Sequence, residues 1–146
     1  LEKFRNAQEI NDLFYTHTSP IEEQMWEGLK GAGIISERQY EIRERGASYN
    51  LDFAIECRDG SQIDIECNGD TYHSTKAERD HDRKRNTYLI TKGWLVQRFG
   101  TEEIRNDSRG CIAQIRALID RHGGPVDHRL AYDLRQSNAD SQLDLF

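Results

Sequence analysis

Two stretches in which apolar and acidic residues alternate constrain the fold of this chain more than any other feature. They read LDFAIEC and SQIDIEC, are separated by the letters RDG, and together span residues 51–67. Alternation with a period of two predicts β-strands, because successive side chains of a strand point to opposite faces. The glycine that ends RDG predicts a hairpin loop of about three residues with Gly60 in the left-handed conformation.

The length of this loop decides which residues of the predicted hairpin face each other. With a three-residue loop, Asp52 lies across from Glu66 and Ala54 across from Asp64, on the face opposite to the apolar residues. A shorter loop would divide Asp52 and Glu66 between the two faces. Facing carboxylates share a proton or hold a cation, unless they form a solvated outer face. The longer loop gives every apolar residue an apolar partner: Ile55 with Ile63, Phe53 with Ile65, and Leu51 with Cys67.

Composition places the chain among water-soluble globular proteins. Its 146 residues are 36% hydrophobic and 32% charged, which suits one compact domain. No apolar run approaches a membrane span and no signal peptide opens the chain, which predicts a cytoplasmic protein without a membrane partner. Three scattered cysteines predict reduced thiols rather than disulfides or a zinc site. The first residue is Leu1 rather than Met, which predicts either a fragment of a longer protein or a chain that has been trimmed.

The remaining patterns predict the element order helix, three strands, helix, strand, helix. Ser19, Pro20 and Glu22 form a capping box at the start of the first well-defined helix. The last helix, TEEIRNDSRGCIAQIRALIDRH, is expected to break near Gly110, and Trp94 and Phe99 are expected in the core. We predict a domain over residues 1–122, with a helical extension at 1–18 and a polar tail at 123–146.

The formal net charge of −6 argues against strong binding to nucleic acid by the chain as a whole. The segment RDHDRKR, residues 79–85, is nevertheless locally basic. A site that holds a metal ion would itself concentrate carboxylates, so the overall charge does not exclude nucleic acid.

Taken in order, these segments resemble the PD-(D/E)XK nuclease superfamily. The branch is that of the very-short-patch-repair endonuclease, which includes homing-type enzymes with a Glu-Asp-His-Asp signature. The resemblance implies an α/β fold with a three-stranded antiparallel meander and a further strand in a mixed sheet, flanked by helices. It extends from about Ser19 to Ile119 and rests on SPIEEQMWEGL, RQYEI, YNLDFAI, IDIECNGDTYH, DRKR and GWLVQRFGTEEI.

The resemblance also implies a catalytic centre. Asp52 and Glu66 match acidic ligands of Mg²⁺, for which Mn²⁺ is expected to substitute. Asn68 stands where many members of the superfamily carry lysine, and His73 matches the histidine that serves this branch as a general base. Carboxylates and Mg²⁺ suit each other because Mg²⁺ prefers oxygen ligands.

Other matches have structural alternatives. Asp82 matches an aspartate on the following helix, or forms a surface ion pair there. Glu22 matches a helical glutamate of the branch, or serves only the helix cap. Gln39 matches a glutamine just before the first strand. We expect Asp64 and Asp70 on the surface, and phosphate contacts from the basic residues Arg79, Arg83, Lys84 and Arg85.

The chain ends in QLDLF, which looks like the linear motif by which bacterial proteins bind the DNA polymerase sliding clamp. The apolar residues of a short tail can anchor in a hydrophobic pocket, and the glutamine that begins the motif can hydrogen-bond at the edge of this pocket. Alternatively, the tail packs back on the domain. The clamp-binding residues would be Gln142, Leu143, Leu145 and Phe146.

These observations predict a Mg²⁺-dependent DNA endonuclease that hydrolyses phosphodiester bonds and is tethered to the sliding clamp. The alternative is a catalytically impaired DNA-binding or interaction module on a nuclease fold, within a larger DNA-processing protein. The absence of lysine at Asn68 keeps this alternative open. The DNA target and the oligomeric state do not follow from the sequence.

Overall fold

The computed structural model describes residues 19–67 and 75–126 as one mixed sheet between helices. The predicted N-terminal helical extension and residues 127–146 of the predicted tail lie outside these ranges. The elements are α1 (Pro20–Gly31), β1 (Glu37–Glu44), β2 (Ala47–Glu56), β3 (Gln62–Glu66), α2 (Lys76–Thr91), β4 (Leu95–Arg98), α3 (Thr101–Asn106) and α4 (Ser108–Arg121).

The sheet has the strand order β1-β2-β3-β4. The first three strands form the antiparallel meander and β4 runs parallel to β3, so the predicted fold class is confirmed. The hairpin register is also confirmed, with Phe53 paired to Ile65. The Cys57 N–H donates to the Ser61 carbonyl at 2.8 Å, and Gly60 has a φ of 90°. Glycine adopts this left-handed conformation without the steric cost that a Cβ imposes.

Helix α1 covers one face of the sheet. Ser19 caps it, accepting a hydrogen bond from the Glu22 N–H at 3.3 Å. The apolar stripe of the helix turns inward, and the Trp26 ring stacks on Phe53 with centroids 6.2 Å apart. The core on this side consists of Met25, Trp26, Leu29, Phe53, Ile55, Ile63, Ile65, Ile104, Ile115 and neighbouring apolar residues from α1, β2, β3, α3 and α4.

Helix α2 covers the other face with a smaller core. Leu89 is its buried residue, and it packs with Leu51 and Trp94. The Tyr49 ring lies 5.3 Å from the ring of Tyr88 on α2. Burial of Trp94 here and of Phe99 in the α1-side core confirms their predicted core positions.

At Gln39 in β1, the alternation of side chains between the two faces of the sheet is reversed. Arg38 lies over Trp26 on the α1 side, at 4.6 Å from the ring centroid, whereas Tyr40, two residues on, contacts Trp94 on the α2 side. Side chains two apart in a regular strand share a face. Gln39 between them has a φ of 54°, which breaks this alternation. The reversal carries into β2, where Leu51 belongs to the α2-side core, so the expectation that it shares a face with Phe53 is wrong.

The last helical segment breaks at Asp107 rather than near Gly110. The Asp107 side chain caps α4 by accepting a hydrogen bond from the Gly110 N–H at 3.0 Å. A Cβ on residue 110 would come within 2.1 Å of the Asp107 carboxylate, which explains the glycine. The glycine therefore makes room for the cap and does not itself interrupt the helix.

The start of the predicted tail contacts the hairpin. The Gly124 carbonyl accepts a hydrogen bond from the Arg58 N–H at 2.9 Å, and Pro125 forms a bridge with Cys57. The chain leaving α4 is therefore held against the β2–β3 turn. None of the described helices is long and apolar enough to cross a membrane.

Candidate active site

Three acidic side chains are buried where β2 and β3 meet α2. Asp52 is 9% exposed, Glu66 3% and Asp64 0%, so the solvated outer face is excluded. The surface position expected for Asp64 is wrong. The reason is that β3 lies inside the sheet, between β2 and β4, and α2 covers this face. The hairpin register had placed Asp64 on the acidic face, but only the tertiary structure shows that this face is covered.

Arg85 of α2 reaches into this group of carboxylates. Its Nη2 lies 3.2 Å from Asp64 Oδ2 and also hydrogen-bonds Glu66 Oε1. The Arg85 side chain is only 11% exposed. A guanidinium in this position acts as a counter-ion to the carboxylates, which differs from the exposed phosphate contact expected from the sequence.

Asp52 is held at the end of β3 by a backbone hydrogen bond. The Cys67 N–H donates to Asp52 Oδ2 at 2.8 Å, which places this carboxylate beside the strand end that carries Glu66. Burial raises the pKa of Asp52, while the Cys67 N–H and the charge of Arg85 oppose the rise. Asp52 is therefore held beside the strand end that carries Glu66, and the charge of Arg85 acts on it, whereas Glu66 bonds the guanidinium directly.

The pKa of the Asp64 carboxyl group is strongly raised. Burial raises its pKa to about 7; Arg85 opposes the rise and the negative charge of Asp52 adds to it. Burial also lowers the pKa of Arg85. Asp64 Oδ1 is buried and has no hydrogen-bond partner in the described part of the chain. A buried oxygen of this kind carries an unmet demand for a proton donor or a cation.

Glu22 belongs both to the helix cap and to the acidic group. Its pKa is raised, first by burial and then by the charge of Asp52, and is lowered by hydrogen bonds from the backbone and side chain of Ser19. The bonds from Ser19 complete the predicted capping box. The effect of Asp52 shows that the two carboxylates lie close enough to repel each other.

Gln39 connects Glu22 to β2. Its Nε2 donates to Glu22 Oε2 at 3.4 Å, and its Oε1 accepts from Asn50 Nδ2 at 2.5 Å. Gln39 lies inside β1 rather than before it, which corrects the predicted position. Its positive φ is a strained conformation for a residue with a side chain, and such strain persists where the surrounding structure enforces it.

The basic residues of α2 divide into an outer and an inner set. Arg79, Arg83 and Lys84 are exposed, and Arg83 Nη2 lies 2.5 Å from Asp80 Oδ1. Asp82 is half-buried and lies three positions before Arg85, so these two side chains share a face of α2. Of the predicted phosphate contacts, Arg85 alone is turned into the carboxylate group.

His73 and Asn68 lie outside the described residues, as do the four predicted clamp-binding residues. Within residues 19–67 and 75–126, no three histidine, cysteine, aspartate or glutamate side chains lie close enough together to enclose a metal ion. The arrangement instead offers a pair of carboxylates beside a counter-ion.

Comparison with known proteins identifies the class of this fold. The structure is similar to that of the homing endonuclease I-Bth0305I catalytic domain, with a TM-score of 0.53 and 22% sequence identity over 72% of this chain and 98% of that domain. Curated protein sequences gave no significant match. The expected PD-(D/E)XK-type nuclease fold is confirmed. A model of the REase_MTES_1575 family matches residues 22–119. The chain therefore belongs to this restriction endonuclease-like family.

Proposed function

We propose that this chain is a metal-dependent DNA endonuclease whose centre is the carboxylate group around Arg85. The observation that supports this most is the burial of Asp64 and Glu66 against the largely buried Arg85, with the buried Asp52 held at the end of the same strand β3. Burying charge without equal compensation is costly, so a stable protein retains it where the charge has a use. Membership of a restriction endonuclease-like family supports the same reaction class.

The residues present fit a Mg²⁺ ion. Asp52 and Glu66 supply hard oxygen donors, and Mg²⁺ is commonly held by one or two carboxylates together with waters and substrate phosphate. The partnerless Asp64 Oδ1 adds negative potential close by. When bound, the ion would polarise the scissile phosphate and favour ionisation of a water. We expect Mn²⁺ to substitute.

The remaining roles are carried by residues of the chain itself. His73 would accept the proton of the attacking water, since an imidazole titrates near neutral pH. Asp82 would orient that imidazole. The exposed Arg79, Arg83 and Lys84 would hold backbone phosphates and so position the strand without reading its sequence.

A plasmid-nicking assay tests this proposal. Wild type should convert supercoiled DNA to the nicked form in Mg²⁺ or Mn²⁺ and not in EDTA, whereas Asp52→Ala and His73→Ala should be inactive. Glu56→Ala is the matched control, because Glu56 lies on β2 but is exposed. Cleavage by Asp52→Ala at the wild-type rate would contradict the mechanism.

A second candidate is a DNA-binding module on this fold that has lost catalysis. It is supported by Asn68, which stands where many superfamily members carry lysine, and by the occupation of Glu66 by Arg85. Under this alternative the wild type binds DNA in a gel-shift assay but leaves it intact in both metals.

We also propose that the terminal QLDLF segment binds a sliding clamp. The support is its sequence, with Leu143, Leu145 and Phe146 as apolar anchors and Gln142 beside them. A fluorescent peptide covering residues 136–146 should bind a purified bacterial clamp, and the Phe146→Ala peptide should not. Absence of binding at tens of micromolar peptide would end this proposal. A cytoplasmic location remains a prediction from composition.

A further inference from the structure

Among residues 19–67 and 75–126, Asp64 is the buried carboxylate to which the proposed reaction gives no direct role. It occupies the middle of β3, paired with Ala54 on one side and Val96 on the other, and is 0% exposed. An apolar side chain would fill this position without the cost of burying a charge, which amounts to several kcal/mol per ion. The fold alone therefore does not account for an aspartate here.

The contacts of Asp64 point to Arg85. Nη2 of Arg85 is shared between Asp64 and Glu66, so the guanidinium bridges two residues that are two positions apart on β3. Asp64 is fixed by ladder pairing on both sides, whereas Arg85 reaches across from α2. Glu66 is also the residue that the proposed function assigns to the metal, so Arg85 and the metal would compete for it.

We propose that Asp64 is a positioning residue that retains Arg85 when Glu66 exchanges the guanidinium for a divalent cation. This inference rests on the proposed function. In the metal-free protein Arg85 neutralises Glu66. When a cation binds, Asp64 keeps the guanidinium at the edge of the carboxylate group, so that it neither returns to Glu66 nor leaves the site. Asp64 thus favours metal binding through Arg85.

Isothermal titration of the full chain with Mn²⁺ measures this effect. In Asp64→Asn the guanidinium keeps Glu66 as its charged partner and competes with the ion. We therefore expect this variant to bind Mn²⁺ about tenfold more weakly, at the low end of the loss of about 10- to 100-fold that is usual when a partner outside the ligand set is removed. Arg85→Gln removes the competing cation and should bind at least as tightly as wild type. Glu56→Gln, an exposed carboxylate on β2, is the control for the loss of one negative charge.

The double variant Asp64→Asn/Arg85→Gln separates positioning from direct ligation. If Asp64 acts through Arg85, adding Asp64→Asn to Arg85→Gln should change the affinity by no more than about threefold, because coupled residues are not additive. A tenfold loss in both backgrounds would mean that Asp64 binds the ion or acts by its charge alone, and would overturn the inference.

Folding and the proposed function are checked separately. Circular dichroism establishes that each variant is folded. If Arg85→Gln does not fold, Arg85→Lys takes its place, because lysine lacks the planar fork of the guanidinium. The loss of Mn²⁺ affinity caused by Asp64→Asn should then be smaller in Arg85→Lys than in wild type. An equal loss in both would refute the inference. Wild type that binds no Mn²⁺ would refute the proposed metal site and this inference with it. Wild type that binds Mn²⁺ without coupling between the two residues would refute only the inference.

Discussion

The strands β2 and β3 bury two kinds of side chain to nearly the same extent. Towards α1 they bury Phe53 and Ile65, at 1% and 0% exposure, and towards α2 they bury Asp64 and Glu66, at 0% and 3%. Burying a large apolar side chain contributes about 1.5–3 kcal/mol, whereas burying a charge costs free energy unless it is fully paired. Equal burial thus has opposite energetic signs on the two faces. The apolar face supplies stability that offsets the charged one.

The contrast between the two faces is tested most directly by replacing two neighbouring residues of β2, one from the charged group and one from the apolar core. Asp52→Asn should lower DNA cleavage by about a thousandfold or more, because a lost metal ligand removes several kcal/mol of transition-state stabilisation. Its free energy of unfolding without metal should equal or exceed that of wild type, since burial already disfavours the charged form. Nicking kinetics and urea denaturation measure the two quantities. An Asp52→Asn variant that is both inactive and unfolded would show that Asp52 is needed for stability, contrary to this prediction.

Phe53→Ala should show the reverse pattern. Truncating a buried aromatic residue costs about 3–5 kcal/mol, and here it also removes the stack on Trp26. The free energy of unfolding from urea denaturation checks this, with Ile55→Val, at about 1 kcal/mol, as the conservative control. A loss below that of Ile55→Val would show that the α1-side core does not carry the stability assigned to it.

Asp64→Asn should change how stability depends on pH. The pKa of Asp64 is raised to about 7 from an ordinary 3.8, so the folded protein binds this proton more tightly than the unfolded chain. The stability from this group is fully present below pH 3.8 and is lost as the pH rises through about 7. In EDTA, wild type should therefore lose more stability between pH 5 and pH 8 than Asp64→Asn. Equal losses in urea midpoints would contradict the burial of this charge.

The smallest effect concerns the cap that Glu22 shares with the acidic group. Ser19→Ala removes the side-chain oxygen that accepts from the Glu22 N–H and should cost about 1 kcal/mol. Cleavage should persist at the wild-type rate when measured well below the melting temperature. A fall in rate without a fall in stability would show that the cap also positions Glu22 for the reaction.

The hairpin and its register could be predicted because alternation and loop length are local properties of the sequence. Phe53 opposite Ile65 followed from counting residues across RDG. The burial of Asp64 could not be predicted in this way, because it depends on where α2 lies, and an acidic residue in an alternating strand is equally consistent with a surface. The reversal at Gln39 also gave no signal, since a positive φ is common for glycine and asparagine but not for glutamine.

The break between α3 and α4 was predicted to within three residues, but for the wrong reason. A glycine within a helical pattern suggested the interruption, but the Asp107 carboxylate provides it by capping α4 three residues earlier. Aspartate at the start of a helix is a local signal, and it could have given the correct position had it been used. The proximity of Asp52 to the end of β3 therefore followed from local spacing, whereas the burial of Asp64 depends on an environment that is not local.

The change of faces at Gln39 divides the β1–β2 hairpin into two parts that pack on different sides of the sheet. The inner part packs on α1 through Arg38 and Phe53, while the outer part packs on α2 through Tyr40 and Tyr49. A change in the outer part would therefore act first on its packing against α2, whereas Phe53 and the neighbouring Asp52 are held by contacts with α1 and β3.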